Sequence, residues 1–166
     1  MLCSVPIQAQ VTREEALALA FPGATIRAER VFLTEAQQKR VAALAGVDVP
    51  SILIARYVAS RDGRVIGRAY LDTHIVRTKR ESVLISLDAS GLVKRIDVTA
   101  FLEPPEYRAR DAWLGQFGGR ALGEDLQLQR AIRPMAGATL TARATTNAVR
   151  RVLAVDRVLT ASVAAP

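Results

Sequence analysis

The chain has 166 residues, of which 50% are hydrophobic and 5% aromatic, and this length and composition suit one globular domain with a sizeable core. Its net charge of +7 comes from basic residues scattered along the chain, with no nucleic-acid-binding motif and no interleaved aromatic residues. We therefore expect a solvated basic surface and no nucleic-acid partner. A single cysteine, Cys3, and a single histidine, His74, exclude an internal disulfide, a cysteine-based metal site and a multi-histidine metal site.

The first ten residues allow two interpretations. Residues 2–10 are apolar and rich in small side chains, like the end of a secretory leader that is cleaved near Ala9. The segment lacks a basic start and is short for a full apolar region, so an ordinary frayed terminus is the alternative for residues 1–10. No stretch of the chain reaches about 18 consecutive apolar residues, and the sequence therefore predicts no membrane-spanning segment.

Two short helices are predicted in the first third of the chain. A capping box that begins at Thr12 opens the first helix, which ends at residues 21–23. A second capping box begins at Thr34, and Gly46 ends that helix. The Gly-Ala-Thr sequence at 23–25 has no helix start after it and is interpreted as a loop.

Four strands with tight connections are predicted in the middle of the chain. Asp62 and Gly63 suit a two-residue hairpin turn, and residues 88–91 form another turn. The predicted strands are 52–58, 65–70, 82–87 and 92–98. The sequence thus predicts an α+β domain, in which an antiparallel sheet of about four strands packs against helices from the N- and C-terminal parts.

Two more helices are predicted in the last third. The first covers residues 108–117 and ends at two glycines, and the second runs from about 141 to 155. The second helix is amphipathic: Thr145, Ala148, Val149, Val152 and Leu153 are assigned to the core, and Arg143, Asn147, Arg150 and Arg151 to the solvent. Residues 161–166 are predicted to form a loose tail, which leaves 11–160 as a single domain.

A glycine-containing, hydroxyl-bearing turn precedes this last helix. Gly137 allows a backbone conformation that a side chain would forbid, and Thr139 and Thr141 supply hydroxyls. Because the start of a helix presents unpaired amides and a positive dipole end, the pattern is typical of a phosphate site. The spacing alone is equally consistent with a helix cap that contacts no ligand.

The same turn resembles the signature of the FMN-binding domain family, which includes extracytoplasmic flavoprotein subunits of the Rnf and sodium-pumping NADH:quinone oxidoreductase complexes. The resemblance is carried by Gly137, Ala138, Thr139, Leu140 and Thr141, and by three ordered blocks at 73–78, 101–107 and 113–120. It implies FMN as the cofactor and an electron-transfer function outside the cytoplasm. It also implies that Thr139 is the residue to which a flavin transferase attaches the FMN phosphate.

Two positions depart from the family pattern. Arg133 stands where the family has Asp, and Ala136 stands where it has Ser or Thr. The acidic residue belongs to the pattern associated with covalent attachment, whereas an arginine favours non-covalent binding of a phosphate through charge-assisted hydrogen bonds. Covalent and reversible binding of FMN therefore both stay open.

Three residues outside the turn are further cofactor-binding candidates. His74 lies in a block that resembles the family, and it is a candidate to adjoin the flavin or to exchange protons. Arg77 is a candidate for the FMN phosphate, together with Lys79, and Gln116 for the border of the flavin pocket. A structural histidine and a solvated strand end are the alternatives. Glu103 and Glu106, which flank two prolines, could form a paired-carboxylate acid/base site, but the prolines favour a stiff turn.

The sequence thus predicts a periplasmic or otherwise extracytoplasmic FMN-binding electron carrier. It shows no catalytic triad and no nicotinamide-binding fingerprint. The partners implied by the resemblance are redox proteins, a membrane electron-transfer complex or a flavin transferase. Two alternatives are an interaction module of the same fold without cofactor and a flavin reductase that acts on a small acceptor.

Overall fold

The computed structural model describes residues 10–163, and the interpretations of residues 1–9 and 164–166 lie outside this range. The helices are α1 (Arg13–Ala20), α2 (Glu35–Ala45), α3 (Asp111–Leu114) and α4 (Thr139–Val163), with 3₁₀ turns at Pro105–Tyr107 and Gly115–Phe117. The strands are β1 (Thr25–Phe32), β2 (Leu53–Arg61), β3 (Arg64–Ile75), β4 (Arg80–Asp88) and β5 (Val93–Phe101). All neighbouring strands pair antiparallel in the order β1-β2-β3-β4-β5, so the fold is α+β, as predicted.

The sheet has five strands, so the prediction of about four misses β1. This strand begins at Thr25, the last residue of the segment 23–25 that was interpreted as a loop, and among the described residues it pairs only with β2, at the edge of the sheet. Four of its eight side chains are polar or charged, and five of its eight residues are exposed. Because an edge strand buries few side chains, its sequence lacks the strong apolar alternation that revealed the other four strands.

Both predicted capping boxes are confirmed. Glu15 N–H donates to Thr12 Oγ1 at 3.2 Å, and the Glu15 carboxylate accepts from Thr12 N–H at 2.8 Å. Thr34 and Gln37 make the same reciprocal pair at the start of α2. Each box satisfies helix amides that would otherwise lack partners, so the two helix starts are determined by residues close together in sequence.

The sheet separates two apolar layers. On one face, α1 packs against side chains of β2, β3 and β4 and forms the smaller layer. On the other face, α2, α4 and the 3₁₀ turn at 115–117 cover the larger layer. Alternate strand residues point to opposite faces, so Tyr70 and Ile85 enter the larger layer while Ala69 and Leu84 enter the smaller one.

The last helix is longer than predicted and is mostly buried. It begins at Thr139 rather than near 141, and it includes residues 161–163 of the predicted tail. All five residues assigned to its core face are buried: Thr145, Ala148, Val149, Val152 and Leu153. Asp156 on the same helix accepts hydrogen bonds from Arg68 (3.0 Å) and Tyr70 (2.7 Å) of β3, which attaches the helix to the sheet.

The prediction that Arg150 faces solvent is wrong. Its guanidinium is buried and donates to the carbonyl oxygens of Ala45 (2.7 Å), Gly123 (2.8 Å) and Leu126 (3.0 Å). Ala45 is the last residue of α2, where helix carbonyls lack intrahelical partners. Arginine has five N–H donors and can satisfy several such carbonyls at once, so it is buried here without a carboxylate.

The predicted helix over 108–117 is present only in part. The α-helix is α3, and the chain continues as a 3₁₀ turn from Gly115 to Phe117. Gly115 weakens a helix interior, and Arg110 precedes α3 without a side-chain cap. Trp113 and Phe117 are both buried in the larger core, with ring centroids 5.4 Å apart in an edge-to-face arrangement.

A Gly67→Ala substitution is expected to destabilise the domain by about 1–3 kcal/mol or more. A Cβ atom at this position would overlap the ring of Phe21 and the carbonyl oxygen of Leu87. The carbonyl oxygen belongs to the backbone of β4, so it cannot move away by a side-chain rotation. Urea unfolding of the variant measures the loss. Gly63→Ala is the matched control for loss of a glycine, since nothing lies within 4 Å of its Cβ and only its positive φ opposes the change. A Gly67→Ala protein as stable as the wild type would contradict the close contact.

Candidate functional site

The turn before α4 has the backbone that its sequence predicts. Gly137 has a φ of +75°, which side chains rarely adopt, and open space surrounds the position of a Cβ atom there. Ala138 N–H donates to Met135 O at 3.2 Å, and Ala138 O accepts the first helix bond from Ala142 at 3.0 Å. Ala138 is therefore the N-cap, and it has no side-chain oxygen with which to cap the amides of the first turn.

A cavity of about 320 Å³ lies against this turn. All five residues of the predicted phosphate turn line it: Gly137, Ala138, Thr139, Leu140 and Thr141. Arg77, from the loop between β3 and β4, lines it as well, so the structure brings this predicted cation to the predicted turn. The remaining wall consists of Val76, Glu103 and Tyr107. The cavity thus combines one cation, one carboxylate, hydroxyls and apolar surface, as ligand sites usually do.

The two threonines of the turn have different environments. Thr139, the first residue of α4, is exposed, and its hydroxyl is accessible to a ligand or an enzyme. Thr141 is 1% exposed and lies deeper in the wall. Thr139 also borders a second cavity of about 400 Å³, which has a polar wall that includes Gln127, Gln129 and Asn147. Thr139 is therefore the residue of the turn that both cavities share.

Sequence reasoning missed the position of Glu103. Its Oε1 accepts hydrogen bonds from the N–H groups of Arg77 (3.2 Å), Thr78 (2.7 Å) and Lys79 (2.8 Å). These bonds, of which those from Thr78 and Lys79 contribute most, lower the pKa of the Glu103 carboxyl below its usual value. The stiff turn expected at residues 104–105 is present as the start of a 3₁₀ turn. The only sequence signal for the carboxylate itself was an acidic residue before two prolines.

Gln116 supports the turn rather than lining the cavity. Its Oε1 accepts from Arg133 N–H at 2.9 Å, and its Nε2 donates to Trp113 O at 3.1 Å. Trp113 Nε1 in turn donates to Arg133 O at 2.8 Å. The backbone of Arg133 is thus held on both sides shortly before the Gly137 turn, while its side chain is exposed. Gln116 is thus connected to the turn through the backbone of Arg133, and it does not itself line the cavity.

His74 lies in a buried cluster of charged groups and is not among the residues that line the cavity. Its Nδ1 is 2.9 Å from Asp72 Oδ1, and its Nε2 is 2.8 Å from Glu81 Oε2. Arg151, which was predicted to face solvent, is half-buried and donates to both oxygens of Asp72 (2.8 and 2.9 Å). Thr145 of α4 donates to Glu81 at 3.1 Å, so the cluster joins the sheet to that helix.

The protonation of His74 follows from these neighbours. Burial alone would lower its pKa, but hydrogen bonds and charges from Asp72 and Glu81 outweigh burial and raise the pKa to about 9. Burial alone would raise the pKa of Asp72, but His74 and Arg151 lower it to about 2. His74 is therefore protonated at neutral pH and donates a hydrogen bond from each ring nitrogen, one to Asp72 and one to Glu81. These two buried ion pairs favour a structural role for His74.

Exposed apolar side chains lie on or next to the elements that line the cavity. Leu140 and Tyr107 are part of the wall, with exposed fractions of 44% and 37%. Ile75 and Leu102 are also exposed, and each directly precedes a lining residue. The wall of the cavity thus includes two partly exposed apolar side chains, those of Leu140 and Tyr107, which an apolar part of a ligand could cover.

Within residues 10–163, no helix is both long enough and apolar enough to cross a membrane. Comparison of the chain with protein-family models and with curated proteins gives no match.

Proposed function

We propose that this protein is an FMN-binding electron-transfer flavoprotein that works outside the cytoplasm. The observation that carries the proposal is that Gly137, Thr139, Thr141 and Arg77 all line the same cavity. These are the residues that the sequence predicts to hold a phosphate. Their convergence supports a ligand that has both a phosphate and an apolar aromatic part.

The residues present fit such a ligand. The first amides of α4, the open backbone at Gly137 and the hydroxyl of Thr139 would hold the phosphate, and Arg77 would add a charge-assisted hydrogen bond. Val76, Tyr107 and Leu140 would contact the ring system and exclude water from it. When bound, FMN supplies the one- or two-electron chemistry, and the protein supplies binding and tuning of the potential.

The partners under this proposal are redox proteins, which include a membrane electron-transfer complex, and a flavin transferase if attachment is covalent. The first test is the absorbance of the protein, purified from its native host, between about 350 and 500 nm, where oxidised flavins absorb. A flavin spectrum supports the proposal. Protein without flavin that also fails to bind added FMN would contradict it and favour the cofactor-free interaction module. Turnover of a small acceptor with a soluble reductant would instead favour a flavin reductase.

If FMN is attached covalently, the adduct is expected on Thr139, and Thr139→Ala should abolish it. Thr139 is exposed at the first position of α4, whereas Thr141 is 1% exposed and inaccessible to a transferase. Intact mass and peptide mapping of protein from the native host measure both the adduct and its position. Thr141→Ala is the matched control and should keep the adduct. An adduct that survives Thr139→Ala, or one that maps to Thr141 or Thr25, would contradict the assignment.

A further inference from the structure

The loop between β3 and β4 forms a small anion-binding concavity, and a carboxylate of this chain fills it. The N–H groups of three successive residues, Arg77, Thr78 and Lys79, converge on Glu103 Oε1, and the Thr78 hydroxyl also approaches it at 3.4 Å. Successive backbone amides of this kind form the nests that bind phosphates in other proteins. Glu103 is 8% exposed, so the carboxylate is enclosed by this loop rather than solvated.

This filled nest is part of the wall of the cavity described above. Arg77 and Glu103 line the cavity together with Gly137 and Thr139. Because three amides bond to one oxygen, the backbone of the loop is restrained, and with it the direction in which the Arg77 side chain leaves the loop. The two glutamates beside the prolines thus differ, since Glu106 is exposed and does not line the cavity.

We propose that Glu103 is a positioning residue for the phosphate subsite. Its carboxylate occupies the 77–79 nest, which holds Arg77 against the Gly137–Thr141 turn and keeps other anions out of the nest. An anionic group of the ligand is therefore directed to Arg77 and Thr139. The proposal rests on the proposed function for the identity of the ligand, but the occupancy of the nest is independent of it.

The occupancy of the nest can be tested without flavin. In ¹⁵N-labelled Glu103→Ala protein, acetate should enter the vacated nest and shift the amide resonances of Arg77, Thr78 and Lys79 in a saturable way. Wild-type protein and Glu106→Ala, the matched control, should show no such shifts, because Glu103 still fills the nest in both. Absence of saturable shifts in Glu103→Ala, or equal shifts in the wild type, would overturn the proposal.

The positioning role is tested by calorimetric titration with FMN and with riboflavin, which lacks the phosphate. Glu103→Ala should weaken FMN binding by about ten-fold or more and riboflavin binding by less than about two-fold, and acetate should restore part of the FMN affinity. Glu106→Ala should bind both ligands like the wild type. Unchanged or tighter FMN binding by Glu103→Ala would overturn the role. Tighter binding would mean that the phosphate prefers the vacated nest.

A replacement variant covers the case in which Glu103→Ala does not fold, and the acetate titration covers the case in which the wild type binds no flavin. If Glu103→Ala does not fold, Glu103→Asp replaces it, since its side chain is one methylene shorter and withdraws the carboxylate from the three amides of the nest. This variant should bind FMN more weakly than the wild type with riboflavin affinity unchanged, and equal FMN affinity would overturn the proposal. If wild-type protein binds neither ligand, the proposed function fails, while the acetate titration still decides whether Glu103 fills the nest.

Discussion

FMN is expected to bind this protein about ten to several hundred times more tightly than riboflavin. The difference corresponds to about 1.5–3.5 kcal/mol in total, which is the loss of one strong or two weaker charge-assisted hydrogen bonds when the phosphate is absent. The structure provides the donors for these bonds in Arg77 and the first turn of α4, and it provides few aromatic side chains to enclose the ring. Calorimetric titration with the two ligands measures the ratio, and equal affinities would show that the turn at Gly137 is not a phosphate site.

Arg77→Ala should remove a large part of this preference. Arg77 is the cationic residue in the wall of the cavity, so its loss should weaken FMN binding by at least about ten-fold and leave riboflavin binding nearly unchanged. Lys79→Ala is the matched control. Lys79 lies in the same loop with the same charge but is not part of the cavity wall, so its loss should have little effect. Equal losses in the two variants would instead indicate general attraction by the basic surface.

Gly137→Val should also weaken FMN binding, because the backbone of the turn requires a glycine. Within residues 10–163 no atom lies within 4 Å of a Cβ atom built at this position, but the φ of +75° is unfavourable for a β-branched residue. The variant therefore acts mainly by forcing the turn into another conformation, which displaces the amides of Ala138 and Thr139 that follow it.

The sequence could predict the parts of the fold whose causes are local. The capping boxes at Thr12 and Thr34 each depend on a partner three residues away, and the Asp62–Gly63 hairpin depends on two adjacent residues with positive φ. The sequence also predicted the Gly137 turn, because the signal for it, a glycine followed directly by a helix start, lies within a few consecutive residues. The edge strand β1 was missed because five of its eight residues are exposed and its sequence shows no strong apolar alternation.

The contacts that could not be predicted join residues far apart in the chain. Helical periodicity predicts that Arg150 faces solvent, but its side chain is buried against carbonyl groups that lie 24 to 105 residues away in the sequence. Glu103 reads as part of a turn, but its amide partners lie 24 to 26 residues away. Helical spacing describes only which residues share a face, so it cannot show that a neighbouring element supplies partners for a buried charge.

His74→Gln is expected to destabilise the protein by about 3–5 kcal/mol at pH 6, because it leaves the fully buried carboxylate of Glu81 without its cationic partner. The loss of the hydrogen bond to Asp72 should contribute less to this destabilisation, since Arg151 still donates to both oxygens of Asp72. Urea unfolding at pH 6 measures the loss. An unfolding free energy equal to that of the wild type would show that the His74 ion pairs contribute no net stability.

The wild-type protein should in addition lose stability as the pH rises. The pKa of His74 is raised from 6.5 to about 9 in the folded protein, so its contribution is complete below about 6.5 and disappears as the pH rises through 9. The pKa of Asp72 is lowered to about 2, and its contribution is lost only as the pH falls from about 4 towards 2. The cluster, which includes Arg151 from α4 and Glu81 from β4, should therefore contribute most between about pH 4 and 6.5.

The decisive measurement is the difference in unfolding free energy between the wild type and His74→Gln from pH 6 to pH 9.5. This difference should shrink by about 3 kcal/mol as His74 loses its proton. His74 is the only histidine, and other groups that titrate in this range, such as the Cys3 thiol, are present in both proteins and cancel in the difference. The same imidazole gives a single NMR titration curve. A midpoint near 6.5 together with a constant stability difference would mean that His74 is neutral in the folded protein, and the double ion pair to Asp72 and Glu81 would then be wrong.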